Sequence, residues 1–353
     1  MAGGGTPGAG AMRVVALEEH VWTAELRDAL IAVDDEAVRL ARRFPAVDER
    51  LREIGEGRLA RMDRAGVDVQ VLSVTTPGTQ SLAPAQAVAL ARQANDVMAA
   101  AVRRHPGRFT AFATLPTPDP EAAAEELRRC VTELGMVGAM LFPRTGERPL
   151  DHPSLRPVFE AAAQLRVPLY LHPQFPPKAI RELAYSGFDP VVDELLASGG
   201  WGWHAEAGLS ALRLVLAGTF DRHPELQLIL GHWGEMLVAF LDRADVLTGA
   251  ARYLQRSVGE VVRDNMHVTA GGIYSPRMLQ TVLAALGPER VMMATDDPYQ
   301  QRYADGEART FLAAAGLGVE DQARIAHVNA ERLGLAPPRA ADGTELSAAR
   351  SAG

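Results

Sequence analysis

Val14-Val15-Ala16-Leu17-Glu18-Glu19-His20-Val21 is an apolar strand that ends in two acids and an imidazole. Side chains alternate along a strand, so Glu18 and His20 share one face and Glu19 points to the other. Two such groups one strand-step apart can grip a single divalent metal ion. Seven further runs have the same short, apolar form: Val69–Thr75, Phe109–Leu115, Val137–Phe142, Pro168–His172, Leu226–His232, Met266–Ala270 and Val291–Asp296. Several are continuous apolar stretches, the pattern of strands covered on both faces.

Helical patterns separate these runs: Gln86–Arg104, Pro120–Leu134, Ser154–Gln164, Ala205–Arg222, Glu235–Leu247 and Pro276–Leu286. Asp119-Pro120 and Ser275-Pro276 each pair a capping side chain with proline at the first helical position. Strand and helix alternating over eight strands predicts an α/β fold, a (β/α)8 TIM barrel. An open doubly wound sheet is the alternative, but no G-x-G-x-x-G follows the first strand. The connections Val21–Asp68 and Pro173–His204, after strands 1 and 5, are unusually long, and such loops shape a barrel's mouth.

Composition narrows the classes. The 353 residues are 47% hydrophobic and 23% charged, ample for one large core, with a net charge of −8. That balance, without a basic stripe, argues against nucleic acid and anionic membrane as partners. The single cysteine, Cys130, excludes an internal disulfide and fits a reducing cytoplasm; within a helical run it reads as a buried structural thiol. No apolar stretch reaches the roughly 20 residues of a membrane span. Residues 1–12 read as a disordered tail without signal-peptide features, 13–335 as one barrel domain and 336–353 as a second disordered tail.

In a barrel the strand C-termini meet at one face. The polar groups there are Glu18 and His20, His172, His232 and Asp296. Carboxylates and neutral imidazoles without thiolates suit zinc, manganese or iron in a reactive site. Each piece alone has an ordinary reading: His172 as a core histidine, Asp296 as a turn cap. Their joint placement favours the metal. His232 is followed three residues later by Glu235, a carboxylate able to hold its tautomer, which suggests acid/base or substrate-orienting work. Trp22, Phe175, Trp201, Trp203, Trp233 and Tyr299 crowd the loops near the mouth and suit a flat, partly apolar ligand. Arg243 is balanced between a surface ion pair and a substrate contact. His204 and Glu206 read as the start of a helix or as site residues. His105, His152, His223, His267 and His327 read as structural.

The chain resembles the amidohydrolase superfamily, in its metal-dependent non-oxidative decarboxylase branch. The marks are Ala16-Leu17-Glu18-Glu19-His20, Met62-Asp63-x-x-Gly66-Val67, Arg108-Phe109-x-Ala111-Phe112-Ala113-x-Leu115-Pro116, Leu171-His172-Pro173, Gly231-His232-x-Gly234-Glu235, Thr295-Asp296-x-Pro298 and Asn329-Ala330-x-Arg332-Leu333. The resemblance implies a barrel in which Glu18, His20, His172 and Asp296 hold one divalent metal, Zn2+ or Mn2+. It further implies that His232 faces a small carboxylic acid substrate, that Arg243 contacts the carboxylate or supports a dimer, and that the protein is a homodimer. Hydrolytic relatives commonly carry His-x-His on strand 1 and a lysine on strand 4. Here strand 1 has Glu-x-His and Val137–Phe142 has no lysine. Both departures favour one metal, and decarboxylation of an aromatic or related unsaturated acid. The expected mechanism has Asp296 protonating the ring carbon while His232, oriented by Glu235, hydrogen-bonds the ring oxygen. The alternative is hydrolysis of an amide, lactone or thioester by a metal-activated water. A barrel that binds a ligand without turnover is the third class.

Overall fold

The computed structural model describes residues 12–33, 35–36, 38, 42–300 and 306–338. Among these, one sheet carries nine parallel segments, ordered 109–111, 69–74, 15–21, 291–294, 266–269, 228–230, 169–171, 139–141, 113–114. The first and last belong to the same stretch of chain. Phe109–Ala111 pairs with Val69–Val74, whereas Ala113–Thr114 pairs with Ala139–Leu141. Phe112 is the hinge: its N–H reaches Leu72 O, and the next N–H reaches Gly138 O. Taking 109–114 as one bent strand closes the sheet into an eight-stranded barrel. The strands are β1 (Val15–Val21), β2 (Val69–Val74), β3 (Phe109–Ala111 with Ala113–Thr114), β4 (Ala139–Leu141), β5 (Leu169–Leu171), β6 (Leu228–Leu230), β7 (Met266–Thr269) and β8 (Val291–Ala294).

Side chains sort by layer as a barrel requires. Val15, Leu17, Val69, Val71, Phe112, Met140, Tyr170, Ile229 and Met292 fill the interior as one cluster. The intervening residues, among them Val14, Ala16 and Leu72, pack outward beneath the helices. Helix starts follow local chemistry. The Asp119 carboxylate accepts from Ala122 N–H and Ser275 Oγ from Met278 N–H, and each is followed by proline. Ser257 and Glu260 form a reciprocal capping box.

Both long connections contain helices. Residues 24–32, 45–52 and 56–65 are helical after β1, and 178–184 and 190–197 after β5. The expected helix Glu235–Leu247 is broken. Residues 238–240 and 245–249 are 3-10 turns around a single helical turn at 241–244. Left-handed backbone at Trp233, Glu235 and Met236 (φ 63°, 50° and 65°) removes the first turn of the expected helix, since no α-helix accommodates it. The expected helix over 205–222 instead spans 202–216 and 219–222, parted at Gly218.

The N-terminal tail lies outside the described residues up to position 11, as does the C-terminal one from 339. Ala336 is buried and Pro337 O accepts from Arg13, so packing continues past the expected boundary at 335. No helix among the described residues is long and apolar enough to cross a membrane. Cys130 is a buried thiol against Glu126.

Candidate metal centre

Strict alternation along β1 would place Glu19, not Glu18, on the interior face with Val15 and Leu17. An extra residue prevents this. Ala16 stands opposite Gln70 but Glu19 opposite Leu72, so three steps on β1 match two on β2. Glu18 carries the bulge, with φ 68°. The consequence is that Glu18 and His20 both reach the mouth, and their ligating atoms lie within 4.8 Å of each other and of His172. His172, His232 and Asp296 form a second such group. His232 and Asp296 also have left-handed backbone (φ 41° and 57°). Such conformations cost about 1–3 kcal/mol each and persist where surrounding structure over-determines them.

Glu19 is turned to the outer side and fully buried. It accepts from Gln70 Nε2 (2.6 Å), Thr295 N (2.8 Å) and Thr295 Oγ1 (2.5 Å). Arg58, also fully buried, donates to Gln70 Oε1 and His20 O and lies 3.4 Å from Asp297. This buried polar layer ties β1 to β2 and to the end of β8, behind the ligating residues. Burial, and then Asp297, raises the Glu19 carboxyl well above the ordinary range.

His172 Nδ1 donates to Pro173 O at 2.8 Å, which leaves the Nε2 lone pair aimed at Glu18 Oε1, 3.4 Å away. Burial, followed by the neighbouring His20 and His232, lowers the His172 pKa and keeps the ring neutral. His20 Nε2 stands 3.4 Å from Asp296 Oδ1. Burial lifts the Glu18 carboxyl to about 8 despite the opposing His232, with Asp296 and Glu235 adding to the rise. Glu18 Oε1 and His20 Nε2 are buried without a hydrogen-bond partner. Two orphaned lone-pair atoms beside two more ligating groups fit a divalent cation, and four protein N/O ligands suit zinc or manganese. Gly231 and Gly271 make room for the carboxylate. A Cβ at Gly231 would lie 2.8 Å from Glu18 Oε1, and one at Gly271 2.3 Å from Oε2.

His232 Nδ1 lies 2.7 Å from Glu235 Oε1, and Nε2 lies 3.9 Å from Asp296 Oδ2. Burial would lower the His232 pKa, but Glu18 and Glu235 outweigh it and raise it well above the ordinary value. Glu235 is fully buried; burial opposes its charge, and His232 and His204 more than offset this, lowering its pKa. Asp296 is likewise lowered against burial, by hydrogen bonds from His20 and His232.

The aromatic residues divide. Tyr299 meets the His20 ring edge-on at 5.6 Å, and its hydroxyl lies 2.7 Å from Thr75 Oγ1. Phe142, on the chain leaving β4, packs on His172 at 5.8 Å. Phe175 is buried against Trp203, with Arg181 over its ring. Trp22 and Trp233 are corrections to the expected aromatic wall. Trp22 is 1% exposed within the hydrophobic layer. Trp233 follows His232 in the tight turn and projects away from it, donating from Nε1 to Ile273 O and meeting Phe311 at 6.1 Å. Arg243 is a third. It is exposed on the outer surface and lines a groove of about 310 Å³ with Leu209, Leu212 and Phe240. The broken helix carries it there, and no contact joins it to the ligating groups among the described residues.

Of the histidines read as structural, His152 caps residues 153–155, His267 lies 3.0 Å from Arg290 and His327 pairs with Glu331. Two polar groups at the centre went unremarked in the sequence. Tyr170 Oη lies 2.9 Å from Thr269 Oγ1, which donates to Glu18 Oε2 at 3.4 Å. Strand alternation could have found Tyr170, two residues before His172 on the same face.

A closed eight-stranded parallel barrel with carboxylate and imidazole groups gathered at its C-terminal mouth defines a metal-dependent barrel enzyme. Residues 17–333 match the family described as Amidohydrolase, and the chain belongs to that family. It is 35% identical to a gamma-resorcylate decarboxylase of Rhodococcus jostii over 90% of this chain and 97% of that one. Among solved structures, 5-carboxyvanillate decarboxylase LigW from Sphingomonas paucimobilis superposes with a TM-score of 0.84 at 34% identity, over 92% of this chain and 99% of the other. A 5-carboxyvanillate decarboxylase from Novosphingobium aromaticivorans, complexed with manganese and 4-hydroxy-3-methoxy-5-nitrobenzoic acid, gives 0.83 at 31% identity, over 91% and 95%.

Proposed function

We propose that this chain is a metal-dependent, non-oxidative decarboxylase of an aromatic or related unsaturated carboxylic acid, a carboxy-lyase of the amidohydrolase superfamily. The observation that carries the reading is the convergence of Glu18, His20 and His172 at one end of the barrel, with Asp296 beside them. Decarboxylation is favoured over hydrolysis by the similarity to decarboxylases across nearly the whole chain. Phe142 packing on His172, with no lysine on β4, supports a single ion.

Glu18, His20, His172 and Asp296 would hold the ion. A divalent metal bound there would supply Lewis-acid withdrawal of charge from the acid substrate. Manganese in the Novosphingobium relative supports Mn2+, and the N/O donor set also accepts Zn2+. Asp296, beside the metal position, would deliver the proton to the ring carbon. His232, whose Nε2 lies 3.9 Å from Asp296 Oδ2, would hydrogen-bond the ring oxygen. Protonation at the ring carbon precedes loss of carbon dioxide, and the departing C–C bond pair restores aromaticity. Glu235 keeps His232 facing the centre. Tyr299, beside His20, serves as a wall for the ring, and Phe175 lies further out on the β5 excursion.

We also propose a homodimer, supported by the groove in which Leu209 (55% exposed) and Phe240 (62%) stand beside Arg243. A cytoplasmic setting is supported by the lone buried thiol. The function is tested by reconstituting the protein with manganese or zinc, supplying hydroxybenzoates and related acids, and measuring carbon dioxide release. A new carboxylate carrying solvent oxygen, without carbon dioxide, would replace this reading with hydrolysis.

A further inference from the structure

His204 opens the helix Gly202–Leu216, and its ring turns back beneath the turn that precedes it. Nε2 lies 3.1 Å from Gly199 O, and Nδ1 lies 2.7 Å from Glu235 Oε2. A carbonyl oxygen can only accept, so Nε2–H donates to it. The other nitrogen meets the carboxylate edge that His232 leaves free. Glu235 therefore sits between two imidazoles, one on each oxygen, and His204, His232 and Glu235 form a third cluster of ligand-type atoms within 4.8 Å.

The turn is built to permit this. A Cβ at Gly200 would stand 2.6 Å from Leu195 O, and one at Gly202 2.6 Å from Ala197 O. Any side chain at either position would push the turn off the helix Pro190–Ala197 and carry His204 with it. On the opposite side, a Cβ at Gly208 would lie 2.0 Å from Glu235 O, so the same helix also lies against the Glu235 backbone. Glu235 has a left-handed backbone and no regular helix to hold it. Its orientation depends on its side-chain partners.

We propose that His204 is a positioning residue for the decarboxylation: it fixes Glu235 from the Oε2 side, so that Oε1 orients His232, and it ties that pair to the excursion after β5. The inference rests on the functional reading above, in which His232 works on the substrate. A carboxylate held on one edge only can rotate and release the imidazole. Held on both, it keeps the His232 ring in one orientation and one tautomer.

The test compares His204→Phe, which keeps an aromatic ring and removes both ring nitrogens, with His204→Asn, whose amide can still donate to Glu235. In the metal-loaded enzyme His204→Phe is expected to lower kcat roughly 10- to 100-fold, the usual cost of losing such a support, with KM and metal content unchanged. His204→Asn should recover most of that loss. In a Glu235→Gln background His204→Phe should cost little more, because the two residues act as one unit. Full activity in His204→Phe, or losses that multiply in the double variant, would overturn the inference. A second readout is independent of turnover. In zinc-loaded protein with 15N-labelled histidine, the His232 ring resonances should move in His204→Phe and stay close to wild type in His204→Asn. Unchanged resonances in His204→Phe would overturn the inference. If the wild type released no carbon dioxide from any acid, the functional reading would fall and these resonances would still decide the role of His204.

Discussion

Gly271→Ala tests the centre with a single methyl group. Gly271 lies just beyond β7, and its backbone is outside the left-handed region, so alanine can adopt it. The new Cβ would stand 2.3 Å from Glu18 Oε2, about 1 Å closer than the 3.4 Å where ordinary contact begins. Glu18 has nowhere to go. It is fully buried, with Thr269 Oγ1 3.4 Å from its Oε2 and His172 Nε2 3.4 Å from its Oε1. The carboxylate must therefore rotate or shift by about 1 Å, out of reach of the ion that it would share with His20 and His172. A misplacement of that size costs on the order of 100-fold in rate, about 2.7 kcal/mol of transition-state stabilisation. The overpacking itself should lower stability by only about 1–3 kcal/mol, leaving a folded protein. The assay is metal content after dialysis, together with kcat in added manganese. Gly249→Ala, at a position with nothing within 4 Å, is the control. A Gly271→Ala protein that kept a full equivalent of metal and wild-type kcat would refute the claim that Glu18 is a fixed ligand.

Asp296→Asn should keep the fold and lose turnover, since the amide neither delivers a proton to carbon nor binds metal as a carboxylate; unchanged carbon dioxide release would end the proton-donor role. Arg58→Met should destabilise by about 1–3 kcal/mol, read by denaturant titration, because it leaves the buried Gln70 Oε1 and His20 O without their donor; an unchanged midpoint would mean that these bonds do not support the layer behind the ligands. Burial, followed by Arg290, lowers His267 to about 3, so the unfolded chain binds a proton there that the folded one refuses. Stability should thus fall as pH drops below about 6.5, by about 2 kcal/mol at pH 5. His267→Gln should remove that part of the slope, and parallel curves for the two proteins would contradict it. Phe240→Glu should shift the proposed homodimer to monomer in sedimentation velocity, and an unchanged species would place the interface elsewhere.

The eight strands were legible because barrel strands are covered on both faces and so read as short apolar runs; Leu226–Leu230 and Val69–Leu72 need no partner to be recognised. The helix starts at Pro120 and Pro276 were legible because a cap and a proline act within one turn. The region after β6 was not. Glu235–Leu247 has acceptable helical periodicity, and nothing local forbids left-handed backbone at Glu235 and Met236 except their cost. That cost is met by tertiary contacts, chief among them two imidazoles on one carboxylate, and one of these comes from a residue 31 positions earlier. His204 carried only a weak signal, a histidine after a glycine-rich turn, because its meaning lies in a partner on another element.

The bulge at Glu18 shows why the centre was more legible than its construction. The pairing of Glu18 with His20 across one intervening residue survives in the structure, yet plain alternation cannot produce it together with Val15 and Leu17 in the interior. An unbulged strand would send Glu19 inward and turn Glu18 and His20 toward the helices. One extra residue, in a left-handed conformation unusual for glutamate, reverses the faces at the point where core must become site. It also leaves Glu19 on the outer side, where Gln70, Thr295 and the nearby Arg58 surround it. The two adjacent acids thus have separate tasks: Glu18 accepts backbone strain to face the metal position, and Glu19 lies in the buried polar layer that holds β1 in the shape that strain requires.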